Sequence, residues 1–487
     1  MKVIEMDVLE RRIEAALAND HLRGALRYTT ERLYSSRLRA IAELNRQAEA
    51  GLYPERFADL RARGHAIKAG TMSRLDWYLK QAADNIRAAG GKVYWALDGD
   101  EAVSQVLGIC RQAGAKRVVK SKSMASEEIH LNGALEEAGL EVVESDLGEY
   151  IIQLAHERPA HIVIPAIHKT RQQIADLFEK EGGEPLATDT RTLTTFARKV
   201  MRQKYQVADV AITGANFVVA ETGTLCLVTN EGNEGLATAI PPVHIAVVGL
   251  EKVVPRLDDL AVLLALLGRS ATGQKLTSYT DLITGPRREG DLDGAAELHV
   301  IFLDNGRSGI LGTKYAEALY CIRCGSCLNA CPVYRNIGGH AYGGTYPGPI
   351  GAVLMPLLGG LDHWAEQPQL SSLCGACFEA CPVGIHLPDY LVHLRGDAVE
   401  TGHVPRKQLV PIRLWMKLWT RPSTYRLVAK AGYRLTHGKM TKLVTGEEVV
   451  EQLPFPASGW TDTRNFPAVA KRPFHARWAD LSRGEAE

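Results

Sequence analysis

The sequence predicts an α/β domain built on a mostly parallel sheet, then a helical, cysteine-rich domain, then a C-terminal region of helices and extended chain. Three observations carry this prediction. Short β-branched runs alternate with amphipathic helix patterns, seven of the nine cysteines cluster between positions 321 and 381, and the end of the chain mixes basic and aromatic residues with proline. These features divide the chain into four regions, 1–70, 71–305, 306–395 and 396–487.

Bulk composition sets the broad class of protein. The chain has 487 residues, of which 46% are hydrophobic and 23% charged, and a formal net charge of +1. Such values are ordinary for a soluble multidomain protein and give no sign of a nucleic-acid partner. The N-terminus MKVIEMDVLERRIEAAL has no apolar core, so we expect no signal peptide. The apolar stretch 350–360 is too short to cross a membrane, and we expect a cytoplasmic protein.

Residues 1–70 are polar, helical in pattern and rich in arginine. The segment LRGALRYTTERLYSSRLRAIAEL, from 22 to 44, is typical of them. We expect a solvated helical hairpin or an arm that packs on a partner.

Residues 71–305 alternate between strand and helix patterns, which indicates a sheet covered on both faces. Strands are predicted over 92–97, 116–121, 140–145, 160–167 and 208–214, and helices over 101–114, 125–139 and 168–181. The runs that follow are separated by Gly and Asn turns and predict a hairpin-rich edge on the same sheet, at 216–222, 224–230 and 243–250.

Two related cysteine runs follow. Residues 321–332 read CIRCGSCLNACP, and residues 371–382 read SSLCGACFEACP, with Ser371 in the first cysteine position. In a Cys-x2-Cys-x2-Cys-x3-Cys-Pro run, the first three thiolates hold one iron–sulfur cluster and the fourth holds a neighbouring one. Zinc ribbons need neither the third cysteine nor the proline, so the pattern favours iron–sulfur clusters over zinc.

This spacing assigns seven cysteines to two clusters. The ligands of the first cluster are Cys321, Cys324, Cys327 and Cys381, and those of the second are Cys331, Cys374 and Cys377. The two other cysteines lie in apolar patterns and are expected in the core, at Cys110 and Cys226.

Ser371 leaves the fourth ligand of the second cluster open. Ser371 is itself a candidate ligand through its oxygen; alternatively, water or another side chain fills the position, or the fourth iron is lost and a three-iron cluster remains. A purely structural role for Ser371, as a helix N-cap or loop residue, is also open. In each case we expect the second cluster to be the more labile. A further hypothesis is an open iron that binds substrate as a Lewis acid.

The 39 residues between Cys331 and Ser371 are too many for a minimal ferredoxin, and their flanks are helical in pattern. We therefore expect a helical ferredoxin-type dicluster domain over 306–395. His340, Tyr342 and Tyr346 lie in its Gly-rich loop and are candidates for contact with a cluster or a partner, with a purely structural role as the alternative.

The C-terminal region has two parts. Residues 409–435 form a basic, aromatic, amphipathic stretch that suits a membrane surface or a partner, with packing on its own domain as the alternative. Residues 453–478 are rich in proline and aromatic residues and are expected to run over a surface as extended chain.

Four segments resemble the lactate utilization protein B family, namely 120–132, 213–233, 321–352 and 371–383. The resemblance covers nearly the whole chain, including the C-terminal region and the serine at 371. It implies an iron–sulfur electron-transfer protein of bacterial L-lactate oxidation to pyruvate, which allows growth on lactate, with two [4Fe-4S] clusters on the seven cysteines.

The resemblance also implies two partners, a cysteine-rich lactate utilization subunit and a smaller subunit with the same α/β domain. That domain resembles the fold of CoA transferases and sugar-phosphate isomerases, although a shared fold does not transfer activity. The electron acceptor is left open, as quinone or another carrier.

Polar residues at the predicted strand ends are candidates for catalysis or binding, since open α/β sheets bind ligands there. The catalytic candidates are Lys120, His168 and Glu221, and further polar residues are Lys122, Ser123, Glu127, Lys169, Thr222 and Asn230. For Glu221 and Thr222 the alternative is a role in a hairpin. No Gly-x-Gly-x-x-Gly follows a strand, so no dinucleotide fingerprint is present.

Two rival functions remain at this point. In the first, the α/β domain itself binds and oxidises lactate, and the clusters carry the electrons within the protein. In the second, the protein is a redox-sensing scaffold.

Overall fold

The computed structural model describes residues 6–437, 442–443, 449–453 and 458–483. The strands in these ranges are β1 (Lys92–Ala96), β2 (Arg117–Lys120), β3 (Glu141–Glu144), β4 (Val210–Thr213), β5 (Phe217–Val219), β6 (Thr224–Thr229), β7 (Val243–Gly249), β8 (Val253–Val254), β9 (Tyr279–Ile283), β10 (Glu297–Leu303), β11 (Lys442–Leu443), β12 (Val449–Gln452) and β13 (Phe466–Pro467). The first α-helices are α1 (Met6–Ala18), α2 (Asp20–Glu49), α3 (Phe57–Met72), α4 (Leu75–Ala88), α5 (Gly99–Gln112), α6 (Met124–Glu128), α7 (Leu131–Glu137), α8 (Leu147–Leu154), α9 (Arg171–Gly182), α10 (Thr190–Val207), α11 (Asn233–Ala239) and α12 (Leu257–Ala271). The remaining ones are α13 (Ser326–Ala330), α14 (Tyr334–Ile337), α15 (Gly348–Gly359), α16 (Leu361–Trp364), α17 (Ala376–Ala380), α18 (Leu387–Glu400), α19 (Arg406–Trp419), α20 (Pro422–Thr436) and α21 (Phe474–Leu481).

Six parallel strands form the central sheet in the order β1-β10-β7-β4-β2-β3. The inner strands β4 and β7 are buried along their whole length, as VAIT and VHIAVVG. Such continuous apolar runs suit a parallel sheet with both faces covered. The predicted α/β fold with a mostly parallel sheet is confirmed.

A second sheet contains the predicted hairpin. The antiparallel pair β5 and β6 lies in a separate four-stranded sheet of order β8-β5-β6-β9, while β7 joins the middle of the central sheet. The prediction of an edge on the same sheet was therefore wrong. An apolar run indicates a buried strand but not the sheet that it joins, because both sheets offer buried positions.

The segment 160–167 forms turns instead of the predicted strand. The backbone amides of Val163 and Ile164 donate to Nδ1 of His161 at 2.9 and 3.1 Å. Those amides are therefore not free to join a strand ladder, and Pro165 has no amide hydrogen at all. The apolar run is a compact loop within the main hydrophobic core.

The predicted helix over 125–139 is split into α6 and α7. His130 between them has a left-handed backbone conformation with φ 51°. One residue in this conformation ends the hydrogen-bond ladder of a right-handed helix. The split leaves Glu128 at the end of α6, where it joins a buried ion-pair network described below.

The N-terminal helices pack on the rest of their own chain. The 30-residue helix α2 contacts α13 and α14, and α3 contacts α12. Leu22, Leu26 and Leu44 recur at helical spacing on the buried face of α2. The prediction of a solvated hairpin or partner arm was therefore wrong for the described part of this region. Residues 1–5 lie outside the described residues.

The chain divides into two compact units, Met1–His403 and Val404–Glu487. In the described part of the second unit, α19 and α20 contact each other, and β11, β12 and β13 form an antiparallel sheet. The predicted extended tail over 453–478 instead contains β13 and the first turns of α21. Residues 454–457 of that tail lie outside the described residues.

None of the helices in the described ranges combines the length and apolar composition that a membrane span requires.

Candidate iron–sulfur site

The two cysteine runs have the same backbone conformation. Arg323 and Leu373 lie at equivalent positions, with φ of 60° and 54°, and Gly325 and Gly375 follow two residues later, with φ of 71° and 83°. Each glycine is the N-cap of a five-residue helix, α13 or α17. Non-glycine residues rarely adopt a positive φ, so this pair identifies a repeated loop shape rather than a chance match.

Helix α13 of the first run contacts α17 of the second run. This contact brings the last cysteine of each run close to the first positions of the other run. Cys381 is the C-cap of α17 and lines one cavity together with Cys321, Cys324 and Cys327. Burial raises the pKa of Cys324 above its ordinary value, and the thiols of Cys321 and Cys381 raise it further. Four of the assigned residues therefore lie together. We call Cys321, Cys324, Cys327 and Cys381 the first cysteine group.

The three remaining assigned cysteines form a second set. Burial raises the pKa of Cys377 to about 12, with further contributions from the thiols of Cys331 and Cys374. We call Cys331, Cys374 and Cys377 the second cysteine group. The structure brings the cysteines together in the two groups that the motif predicts, while ligation itself stays a prediction.

The residues of the first group fit a cluster better than a single metal ion. All four line one cavity whose other walls are largely apolar, with Ile322, Ile350 and Val383 among them. Among the described residues, no three His, Cys, Asp or Glu side chains are placed to hold a single ion. A four-iron cluster takes one thiolate at each iron, so its ligands surround a volume instead of converging on one point.

Backbone amides donate to the sulfur atoms of both groups. Ile385 N lies 3.4 Å from Cys381 Sγ, and Tyr334 N lies 3.5 Å from Cys331 Sγ. Hydrogen bonds to cluster sulfurs stabilise added negative charge and so raise the reduction potential.

Ser371 repeats a contact of Cys321. The amide of Arg323 donates to Cys321 Sγ at 3.4 Å, and the equivalent amide of Leu373 donates to Ser371 Oγ at 3.1 Å. Ser371 lies in a loop, and the N-cap of α17 is Gly375, so the N-cap hypothesis was wrong. The serine oxygen therefore occupies the place of the missing sulfur. Completion of the second cluster by Ser371, by water or by another side chain, and the alternative of a three-iron cluster, stay predictions.

The two groups differ in solvent exposure at Cys374. Cys374 is exposed, whereas Cys331 and Cys377 of its own group are buried; in the first group Cys324, Cys327 and Cys381 are buried and Cys321 is half-buried. A hydrogen bond from the backbone of Ala376 lowers the pKa of Cys374, and the side chain of Ser372 lowers it further. The second group thus reaches the protein surface.

Arginines from the N-terminal helices support the first group. Arg37 Nη2 donates to the carbonyl of Ala380 at 3.2 Å, and Arg61 Nε donates to the carbonyl of Cys381 at 2.8 Å. Sequence reasoning missed this role. The arginine-rich pattern of residues 1–70 was the available signal, but it also fits a solvated surface.

A buried ion-pair network joins the first cysteine run to the α/β domain. Arg307 donates to Glu251 at 2.6 Å and to both carboxylate oxygens of Glu128 at 2.8 and 2.9 Å. Arg323 donates to the other oxygen of Glu251 at 3.2 Å, and Tyr346 OH donates to Glu128 at 2.8 Å. Burial alone would raise the pKa of Glu251, but the two arginines hold it well below its ordinary value.

Lys120 is held in a buried ion-pair cluster. Its Nζ lies 2.9 Å from Glu144 and 3.1 Å from Glu127. Since its side chain is almost fully buried and paired, Lys120 has a structural position at the end of β2.

His168 and Lys169 both contact Glu157. Nε2 of His168 lies 2.6 Å from the carboxylate, and Lys169 donates to its other oxygen. The His168 ring packs edge-on against His340, whose Nε2 is 2.7 Å from the carbonyl of Arg158. These residues connect the loop after α8 to the Gly-rich loop of the cysteine domain.

Glu221 and Thr222 lie at the β5–β6 hairpin. The Glu221 carboxylate accepts from the amide of Leu257 at 3.4 Å, at the start of α12. Thr222 and Thr224 are joined by a hydrogen bond between their hydroxyl groups at 2.7 Å. These contacts correspond to a role in the hairpin.

A larger cavity of about 260 Å³ lies where β2, β4 and β7 end. Three of the polar residues singled out in the sequence line it, Lys122, Ser123 and Asn230, together with Tyr346 of the Gly-rich loop. Lys120, His168 and Glu221 are not part of its lining. We call it the strand-end cavity. Its far wall contains Arg323 and Cys324, so it adjoins the first cysteine group.

The remaining residues from the sequence prediction have packing roles. Tyr342 is buried close to Tyr334, with ring centroids 6.3 Å apart. Cys110 and Cys226 are buried in α5 and β6, and burial raises their pKa values to about 11 and about 12.

Comparison with known proteins identifies both parts of the first unit. The family model described as LUD domain matches residues 79–303, and the one described as 4Fe-4S dicluster domain matches residues 317–385. The second match supports the predicted iron–sulfur domain. A solved structure, a DUF162 family protein from Deinococcus radiodurans, is 15% identical, covers 47% of this chain and 98% of that chain, and has a TM-score of 0.27.

Curated relatives match almost the entire length. Lactate utilization protein B of Geobacillus sp. (strain WCH70) is 45% identical over 475 residues, 97% of each chain. Lactate utilization protein B of Bacillus thuringiensis (strain Al Hakam) is 44% identical over 485 residues, 99% of each chain. At this identity and coverage, the chain belongs to the lactate utilization protein B family.

Proposed function

We propose that this protein carries electrons through iron–sulfur clusters in a system that oxidises L-lactate to pyruvate and so allows growth on lactate. The names of its relatives supply the metabolic context. The structural observation that carries the proposal is the division of seven cysteines into two adjoining groups, one largely buried and one that reaches the surface at Cys374. Such a pair suits transfer between an interior site and a partner.

The burial and exposure of the cysteines set the order in which electrons would pass through the two groups. Bound clusters supply one-electron chemistry at potentials that the protein tunes. Burial raises the pKa of Cys327, and thiols of both groups, including Cys377, raise it further, so the two groups are neighbours. Cys374 is exposed and offers the point of exit to an acceptor.

The proposed cofactors are two [4Fe-4S] clusters, with the second more labile or present as a three-iron form. The support is the missing thiolate at Ser371 and the exposure of Cys374. The oxygen of Ser371 is a harder and poorer iron ligand than sulfur, which weakens the second site.

Electron transfer can be tested directly. Anaerobically purified protein, reduced with dithionite and freed of excess reductant, is mixed with a water-soluble quinone or with the partner subunits, and reoxidation is followed by absorbance. We expect an acceptor to reoxidise the reduced protein during the mixing experiment, and to reoxidise the Cys374→Ser variant more slowly. Protein that stays reduced against every acceptor would overturn the proposal and favour the redox-sensing scaffold.

We also propose two partners, a cysteine-rich lactate utilization subunit and a smaller subunit with the same α/β domain. The support is the family resemblance together with the exposed edge of the second cysteine group. Coexpression of the three chains followed by anaerobic gel filtration is expected to give one complex. Elution as three separate species would contradict it.

The protein is proposed to be cytoplasmic and to bind the inner face of the membrane through α19 and α20. Residues 404–437 contain eight Arg and Lys and no acidic residue. Apolar side chains on α19 are exposed, with Trp415 59% and Ile412 55% accessible. A basic helix pair with exposed tryptophan suits anionic phospholipid.

Flotation with vesicles that contain anionic phospholipid tests this contact. We expect the protein to float with the vesicles, and the double variant Trp415→Glu and Trp419→Glu to remain at the bottom. Trp460→Glu is the matched control, because Trp460 is 64% exposed elsewhere in the same unit. Equal flotation of all three proteins, or none for the unchanged protein, would contradict the proposal.

A further inference from the structure

The strand-end cavity is built from both parts of the first unit. Lys122 and Ser123 follow β2, Asn216 follows β4, and Lys252 follows β7. The carboxyl ends of neighbouring parallel strands are where open α/β sheets bind ligands. A volume of about 260 Å³ is below the range of drug-sized pockets and suits a small molecule.

Two lysines in its wall are not matched by acceptors of the protein. Nζ of Lys122 is buried and has no hydrogen-bond partner in the described chain, with Glu149 at 3.8 Å. Burial raises the pKa of Glu149 to about 8, so at neutral pH this carboxyl is mostly uncharged. Lys252 makes no hydrogen bond or ion pair with the described residues, and burial lowers its pKa to about 8, which leaves it mostly charged at neutral pH. The two ammonium groups are therefore available to an anion.

The arginines that line the same cavity, unlike the two lysines, already have acidic partners. Arg307 is engaged by Glu128 and Glu251, and Arg323 by Glu251. The positive charge that remains for a ligand therefore comes from Lys122 and Lys252. Two ammonium groups match one small carboxylate.

A buried carboxyl group completes the cavity. Glu234 is 8% exposed, lines the cavity, and has one carboxyl oxygen without a hydrogen-bond partner in the described chain. Burial raises the pKa of Glu234 to about 8, as it does for Glu149, so this carboxyl group can accept a hydrogen bond from a ligand hydroxyl or donate one to it. Asp146 lies in the same lining, and its carboxylate disfavours ligands with two negative charges, such as phosphate.

We propose that the strand-end cavity binds a small 2-hydroxycarboxylate, with its carboxylate on Lys122 and Lys252 and its hydroxyl on Glu234. The inference rests on the proposed function for its physiological ligand, lactate. Cys324 in the cavity wall places the bound acid beside the first cysteine group.

Isothermal titration calorimetry of the full-length, anaerobically purified protein tests the site with four probes: L-lactate, propionate, pyruvate and inorganic phosphate. We expect saturable binding of L-lactate. Propionate lacks the hydroxyl and should bind about tenfold more weakly, which corresponds to about 1.4 kcal/mol for the lost hydrogen bond. Pyruvate should also bind more weakly, and phosphate should give no saturable heat.

Lys122→Gln and Lys252→Gln should each weaken L-lactate binding at least about tenfold. Lys116→Gln is the matched control, because Lys116 precedes β2 at the opposite end of the strand from the cavity. Iron content and circular dichroism equal to those of the unchanged protein show that each variant is folded.

Equal affinity for lactate and propionate, tighter binding of phosphate, or unchanged affinity in both lysine variants would overturn the inference. If the protein contains its clusters and reduces an acceptor but does not bind lactate, this outcome overturns the proposed site alone. Failure to carry electrons in protein that binds lactate overturns the proposed function alone.

Discussion

Arg323 and Leu373 occupy the same left-handed position in the two cysteine runs, but their surroundings differ. Arg323 is buried and bonded to Glu251, whereas Leu373 is 37% exposed. The N-terminal helices contact both runs, α2 at α13 of the first and Arg37 at Ala380 of the second, whereas the ion-pair network bonds Arg323 of the first run and the second run reaches solvent at Cys374. The same loop conformation therefore occurs once in a buried environment and once at the protein surface.

This difference indicates which part of the chain controls which property. The repeated motif sets where the thiolates point, while residues far away in sequence set burial and charge around them. We expect the first cluster to be the more protected and the second the more reactive. Four substitutions test this comparison, from the largest expected effect to the smallest.

Cys324→Ala should remove the first cluster and destabilise the protein. Iron content should fall from about eight to about four per chain. The midpoint of thermal unfolding should fall by about 10 °C, because a cluster bound only by the folded state stabilises it. Iron analysis and calorimetry measure both effects. Cys374→Ala should lose a similar amount of iron with a much smaller thermal shift, and equal shifts would contradict the asymmetry.

Glu251→Gln should destabilise the first unit by about 3–5 kcal/mol, because it leaves Arg307 and Arg323 buried without their shared partner. Chemical unfolding under anaerobic conditions measures the change in the free energy of unfolding. The matched control is Glu297→Gln, which breaks an exposed pair with Lys92 and should cost less than about 1 kcal/mol. Similar losses in the two variants would show that the network does not anchor the first run.

Arg61→Gln should lower the reduction potential of the first cluster by about 50 mV, since a positive charge next to Cys381 is lost. The second cluster should keep its potential. An EPR-monitored redox titration measures the two potentials separately. Arg63→Gln, on the same helix but exposed and paired with Glu55, is the control and should change neither potential. A shift of the second cluster alone would contradict the assignment.

Ser371→Cys should slow the loss of iron from the second cluster in air several-fold, since it supplies the thiolate that the first run has at Cys321. The rate of iron release to a chelator measures this effect. Ser371→Ala then tests the serine as a ligand: unchanged release means that Ser371 does not bind iron, and faster release means that it does. No slowing in Ser371→Cys would show that another group already fills the position.

The sequence predicted the parts of this structure that depend on local pattern. Parallel strands such as β4 and β7 were recognisable as continuous apolar runs, and the cysteine spacing predicted which thiols lie together. These features follow from backbone periodicity and from the reach of a short loop.

Features that depend on distant partners could not be predicted. The apolar run at 160–167 is indistinguishable from a strand until the His161 ring takes its amides. The contacts of Arg37 and Arg61 appear only when the N-terminal helices meet the second cysteine run. Lys120 was one of the catalytic candidates and Lys122 one of the further polar residues, yet it is Lys122 that lines the strand-end cavity, while Lys120 is held by Glu144.

The most direct test of the account is low-temperature EPR with iron and sulfide analysis during brief, controlled exposure of anaerobically purified protein to air. We expect about eight irons per chain and two interacting reduced clusters at the start, or about seven irons with a signal in the oxidised protein if the second cluster has three. Air should then remove the second cluster and leave about four irons with the signal of one cluster. Colourless, folded protein that contains zinc or no metal, or loss of both clusters at the same rate, would contradict it.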